Sequence, residues 1–128
     1  MTAKYQSNTR NQLANVTNPY QSDSTKALCV CSAGLLRSPT IAKFLSAKGY
    51  NTRACGTSMD YALIPISHAL VEWADEIHVV SEQLSEVQSI LKQLDLSREV
   101  FEYNIPDKYN AFSIELIELI TEEFNKVI

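Results

Sequence analysis

The sequence predicts an α/β protein, a three-layer sandwich in which a parallel sheet carries helices on both faces. Two observations carry this expectation. From Lys26 onward, short apolar runs of strand type alternate with segments of helical periodicity, and turn residues separate them. The order of the elements is strand then helix throughout, which favours right-handed crossovers and a ligand crevice at the C-terminal ends of the strands. The 128 residues leave room for one such domain, taken as residues 26–128 behind a polar arm over 1–25 that is rich in Asn, Gln, Ser and Thr.

Ala27 to Cys31 is an apolar run suited to a buried strand, followed by the turn-like Ser32, Ala33 and Gly34 and by a helical stretch from Ser38 to Lys48. Pro39 suits the first turn of that helix, and Gly49 stands where a helix end favours glycine. Asn51 to Cys55 reads as a second strand ending in Gly56, Thr57 and Ser58, and a helix is expected over Ser67 to Ala74. Glu76 to Val80 has the pattern of a third strand. Ser81 is placed to cap a helix with Leu84, Val87, Ile90, Leu91 and Leu94 on one face. Glu99 to Tyr103 completes the strands. A loop over Ile105, Pro106 and Asp107 leads to a final helix over Ser113 to Val127, with Ile114, Ile117, Ile120 and Phe124 expected on its buried face.

Composition narrows the function. Hydrophobic residues are 45% and charged residues 20%, ordinary globular usage, while the net charge of −4 argues against binding a phosphate backbone. No apolar run approaches the roughly 20 residues that span a bilayer, and the start lacks a signal-like layout, so a cytoplasmic protein without membrane or nucleic-acid partners is expected. Cys29 and Cys31 share one strand face but lie roughly 7 Å apart, too far for a disulfide. His68 and His78 lack the acidic or cysteine spacing of a zinc site, so no metal or other cofactor is expected, and Trp73 reads as core.

The chemistry concentrates between the first strand and the helix that follows. A loop in that position turns its backbone amides into an anion-binding nest, and the segment Cys31-Ser32-Ala33-Gly34-Leu35-Leu36-Arg37-Ser38 supplies one. A cysteine among such amides and beside Arg37 becomes an accessible thiolate nucleophile. Arg37 can donate two parallel hydrogen bonds to phosphate oxygens, Ser38 can donate to the thiolate, and Gly34 permits the tight turn.

Cys31-x5-Arg37-Ser38-Pro39 after a first strand resembles the low-molecular-weight protein tyrosine phosphatases, over about residues 26–128. Ile105-Pro106-Asp107-Lys108-Tyr109, followed by Glu115 to Ile120, is most similar to a small bacterial and phage branch of predicted tyrosine phosphatases. The resemblance implies a four-stranded parallel sheet and a phosphocysteine mechanism on a phosphorylated protein or a small phosphomonoester. It implies Asp107 as general acid, a role suited to a carboxyl in a loop at the sheet edge. It also implies Tyr109 as an aromatic wall, with Leu35 and Leu36 lining the other side of the pocket. Two departures stand out: Gly34 stands where the family has a bracing asparagine, and Leu36 where it has a second cysteine, which removes the family's redox partner; Cys29 is expected under the loop, and Cys55 is a better placed resolving thiol than Cys29 but not an expected one. Two alternatives remain, a non-catalytic phosphate-binding or partner-docking module and an arsenate reductase, although the latter needs downstream cysteines and none follows Cys55.

Overall fold

The computed structural model describes residues 24–34, 36–58 and 60–127, so the expected N-terminal arm lies almost wholly outside the described residues, as does Leu35. Four strands form one parallel sheet: β1 (Lys26–Cys31), β2 (Asn51–Gly56), β3 (Glu76–Val80) and β4 (Glu99–Tyr103), in the order β2-β1-β3-β4. β1 is central, and its residues Ala27 to Cys31 are all buried, which is why they read as one continuous apolar run. Its register pairs Cys31 with Gly56 of β2 on one side and Val30 with Val79 of β3 on the other.

Among the described residues four helices cover the sheet: α1 (Arg37–Ala47), α2 (His68–Trp73), α3 (Leu84–Leu94) and α4 (Ile114–Val127). Alternation along each strand divides the core in two. Cys29, Cys31 and Ala54 face α1 and α4 through Ile41, Leu45, Leu116 and Ile120. Leu28, Val30 and Cys55 face α2 and α3 through Leu70, Val71, Val87 and Leu91. The three-layer architecture expected from the sequence is therefore the one found.

Local chemistry sets the boundaries. α1 ends in a Schellman arrangement in which Gly49 N–H bonds the Ser46 carbonyl at 3.0 Å and Tyr50 N–H the Leu45 carbonyl at 3.1 Å, with Gly49 at φ +99°. Ser67 and Ser113 cap α2 and α4 by accepting from the N–H of Leu70 and Leu116, each at 3.2 Å. Ser81 does not cap a helix. It opens a single 3-10 turn, Ser81–Gln83, and its hydroxyl instead donates to the Tyr103 carbonyl at 3.3 Å, tying β3 to β4 before α3 begins.

The final helix also differs from expectation. Its inward stripe is Leu116, Ile120 and Glu123, with Phe124 packed alongside, whereas Ile114 is 74% exposed and Ile117 39% exposed. A carboxylate holds that third inward position because it is satisfied there: Glu123 accepts from Asn104 N–H and from Lys126 Nζ, both at 2.8 Å. Trp73 is half-buried against the second core and carries the Arg53 guanidinium 4.7 Å above its ring.

Candidate active site

The strand order places β1 at the switch point, with the crossover to β2 leaving on one side and β3 and β4 lying on the other; a crevice opens at such a point. Cys31 is the last residue of β1 and reaches that edge. After it the chain turns through Ser32, Ala33 and Gly34, the last at φ +71°, a left-handed conformation that favours glycine.

The loop is braced by the backbone of the segment that follows β2. Thr57 N–H donates to the Cys31 carbonyl at 3.0 Å, Ser58 N–H to the Ser32 carbonyl at 2.9 Å, and Leu63 N–H to the Ala33 carbonyl at 3.3 Å. Two glycines allow this contact. A Cβ on Gly34 would lie 2.9 Å from the carbonyl carbon of Cys55, and one on Gly56 would lie 2.4 Å from the Ser32 carbonyl oxygen. The bracing that an asparagine would give is supplied here by the backbone after β2.

Cys31 is 2% exposed, and its Sγ accepts from Gly34 N–H at 3.2 Å. The thiol donates to Ser38 Oγ at 3.2 Å, and that hydroxyl donates onward to the Cys55 carbonyl at 3.2 Å. Once the thiol ionises, rotation of the same hydroxyl offers the sulfur a donor, so the thiolate has two hydrogen bonds within reach. α1 starts at Arg37, and the N–H groups of Arg37 and Ser38 have no acceptor within the helix.

Arg37 is also 2% exposed, an uncommon place for an unshared charge. Its Nη1 donates to Glu82 Oε1 at 2.7 Å and to the Ile105 carbonyl at 2.9 Å, while Nη2 lies 3.7 Å from Asp107 Oδ2. Cys31, Ser32, Ala33, Leu36, Arg37 and Asp107 line a cleft of about 170 Å³. Of the residues singled out in the sequence, these six therefore meet in one place. Gly34 and Ser38 are buried against the sulfur. Tyr109 is not among the lining residues: it is half-buried against the first core, with Lys108 Nζ 5.6 Å from its ring centre. A wider groove of about 370 Å³ runs beside α1, lined by Thr40, Lys43, Phe44, Lys48, Phe112 and Ile117, and none of its lining residues is a cysteine.

Cys55 cannot serve as a resolving thiol for Cys31. Its side chain lies in the core on the opposite face of the sheet from Cys31, so a bond between the two would have to cross the backbone. Burial also pushes the thiols of Cys29 and Cys55 up, keeping both protonated. His78 forms a separate structural network: its Nδ1 lies 2.7 Å from the Tyr103 hydroxyl and its Nε2 3.0 Å from Glu76 Oε1. Burial lowers its pKa to about 4, so the ring is neutral at pH 7, with Nε2–H donating to Glu76 and the tyrosine donating to Nδ1. We find no group of His, Cys, Asp or Glu among the described residues arranged to hold a metal ion, and no described helix long and apolar enough to cross a membrane.

Three residues that hold the loop or Arg37 in place were not singled out for the site by the sequence: Glu82, Ile105 through its carbonyl, and Gly56. Each lies at or just beyond the end of a different strand, and only the parallel sheet brings them to the loop and to Arg37.

No protein-family model and no curated protein matches the chain. Solved structures do. A mutant of YwlE from Bacillus subtilis is 19% identical with a TM-score of 0.50, covering 81% of this chain and 94% of its own. A YwlE arginine phosphatase from Geobacillus stearothermophilus is 14% identical with a TM-score of 0.46, covering 80% of this chain and 85% of its own. The likeness to the first shows a shared fold, the parallel four-stranded sheet with helices on both faces described above.

Proposed function

We propose that this chain is a cysteine-dependent phosphomonoesterase of the low-molecular-weight tyrosine phosphatase family, acting through a phosphocysteine intermediate. One observation carries the reading. A buried cysteine at a strand end, its sulfur already accepting a loop amide, opens into the same small cleft as a buried arginine and a half-exposed aspartate.

The Cys31 thiolate attacks phosphorus in line, so that an S–P bond forms while the bond to the leaving oxygen breaks. The Asp107 carboxyl gives its proton to that oxygen. Asp107, now a carboxylate, takes a proton from water as the water oxygen bonds to phosphorus, and the S–P bond breaks to return the thiolate and release phosphate. Throughout, Arg37 and the amides of the loop and of the first turn of α1 hold the three non-bridging oxygens, whose charge rises in each transition state.

The depth of the cleft bears on substrate. With Cys31 at 2% exposure, a phosphate must enter fully to be reached, which favours the long, flat side chain of phosphotyrosine over phosphoserine. Leu36, 40% exposed at the mouth, gives the ring an apolar face to meet. The test is hydrolysis of p-nitrophenyl phosphate and of phosphotyrosine and phosphoserine peptides in the presence of a chelator. Turnover that Cys31→Ser abolishes and Asp107→Ala lowers about 10²-fold or more is expected. No turnover of any of the three by the wild type would favour the phosphate-binding module instead.

A further inference from the structure

We propose that Glu82 is a positioning residue for this reaction, one that fixes which edge of the Arg37 guanidinium meets the phosphate; this rests on the phosphatase reading above. A guanidinium offers two pairs of parallel donors, one formed by Nη1 with Nη2 and one by Nε with Nη2. In this structure both hydrogens of Nη1 are engaged, one on Glu82 Oε1 at 2.7 Å and one on the Ile105 carbonyl at 2.9 Å. The first pair is thereby used up. Nη2 lies on the cleft side, 3.7 Å from the lining residue Asp107, so the Nε and Nη2 edge is left to clasp two phosphate oxygens.

The clamp comes from a distance. Glu82 sits in the 3-10 turn after β3, and Ile105 lies two residues beyond the end of β4, 45 and 68 positions from Arg37. Neither lines the cleft, so neither touches a phosphate held there. The Ile105 carbonyl alone would tether Nη1 but leave it free to swing about that bond; a second acceptor stops the rotation. The Glu82 side chain is 57% exposed, so it reaches Arg37 from the surface while Arg37 itself is buried.

The opposite role is physically possible: a carboxylate that merely occupies Arg37 until phosphate displaces it. The two predict opposite signs, which makes the inference testable with inorganic phosphate, a ligand that needs no turnover. Calorimetric titration of the full chain with phosphate would be paired with kcat/KM on p-nitrophenyl phosphate and with melting temperature, for wild type, Glu82→Ala and Glu82→Gln. Positioning predicts that Glu82→Ala weakens phosphate binding about tenfold, the lower end for a charge-assisted bond because of the carboxylate's exposure, and lowers kcat/KM at least as far. Glu82→Gln keeps an acceptor oxygen and should stay within about threefold of wild type, with all three proteins melting alike.

Phosphate bound as tightly or more tightly by Glu82→Ala would overturn the inference, as would a Glu82→Gln variant no better than Glu82→Ala. Wild type that binds phosphate without turning over any substrate would refute the phosphatase reading and leave positioning to be decided by the phosphate titrations. Wild type that binds no phosphate would overturn both.

Discussion

Gly56 offers the sharpest perturbation of the site, because the residue itself carries no chemistry. Its backbone is not in the left-handed region, so alanine there meets no conformational penalty, only a steric one. The added Cβ would lie 2.4 Å from the Ser32 carbonyl oxygen, 2.6 Å from the Ala33 carbonyl carbon and 2.7 Å from the Gly34 nitrogen. All three are backbone atoms of the loop, so no side chain can swing aside. Restoring ordinary contact requires the loop to move by about 1 Å, and overpacking of this kind costs roughly 1–3 kcal/mol. A displacement of that size at a reacting centre costs about 10²-fold in rate. Gly56→Ala should therefore lower kcat/KM on p-nitrophenyl phosphate about a hundredfold while unfolding cooperatively in urea. The control is Gly49→Ala, at φ +99° with nothing within 4 Å of its Cβ, which should lose about 1 kcal/mol of stability and no activity. A Gly56→Ala enzyme within twofold of wild type would refute the claim that the loop's position depends on this contact.

Two further outcomes follow from the buried groups. The folded pKa of His78, about 4, lies below its ordinary 6.5, so the unfolded chain binds the extra proton between those values. Stability is complete above pH 6.5 and falls as the pH drops toward 4, by up to about 2 kcal/mol at pH 5. Glu76, raised by burial and then by Asp75, works in the opposite sense and makes the net slope shallower. Urea unfolding at pH 7.5 and pH 5 should show the loss, and the double variant His78→Phe, Tyr103→Phe should remove it; a slope unchanged in that variant would assign it to other groups. Peroxide should convert Cys31 to its sulfenic and then sulfinic acid with no internal disulfide, because Cys55 lies behind the sheet. A peptide map showing Cys31 linked to Cys55 would contradict that geometry.

Much of the fold was legible because it rests on local rules. The central strand is buried on both faces and so reads as an unbroken apolar run. Ser67, Ser113 and Gly49 mark helix ends by hydrogen bonds made within a few residues. Legibility fails where a distant partner decides. Ser81 has the composition of a helix cap, yet the Tyr103 carbonyl on the next strand takes its hydroxyl. Ile114 and Ile117 look like core by spacing, but Glu123 finds Asn104 N–H and turns the inward stripe to Leu116 and Ile120. The site divides the same way. Cys31, Arg37 and Ser38 sit in one short segment whose spacing is visible, whereas Glu82, Ile105 and Gly56 reach it only through the sheet order.

The central claim is that Cys31 carries the phosphoryl group. p-Nitrophenolate leaves without a proton, so Asp107→Ala should still be phosphorylated by p-nitrophenyl phosphate but hydrolyse the thiophosphate slowly for want of a base. Acid quenching of that variant during turnover, followed by mass spectrometry of its peptides, is the direct measurement. The account predicts one added phosphoryl group on the peptide containing Cys31, absent when Cys31→Ser is combined with Asp107→Ala. Turnover with no phosphorylated Cys31 peptide, or with the phosphoryl group on another residue, would contradict it.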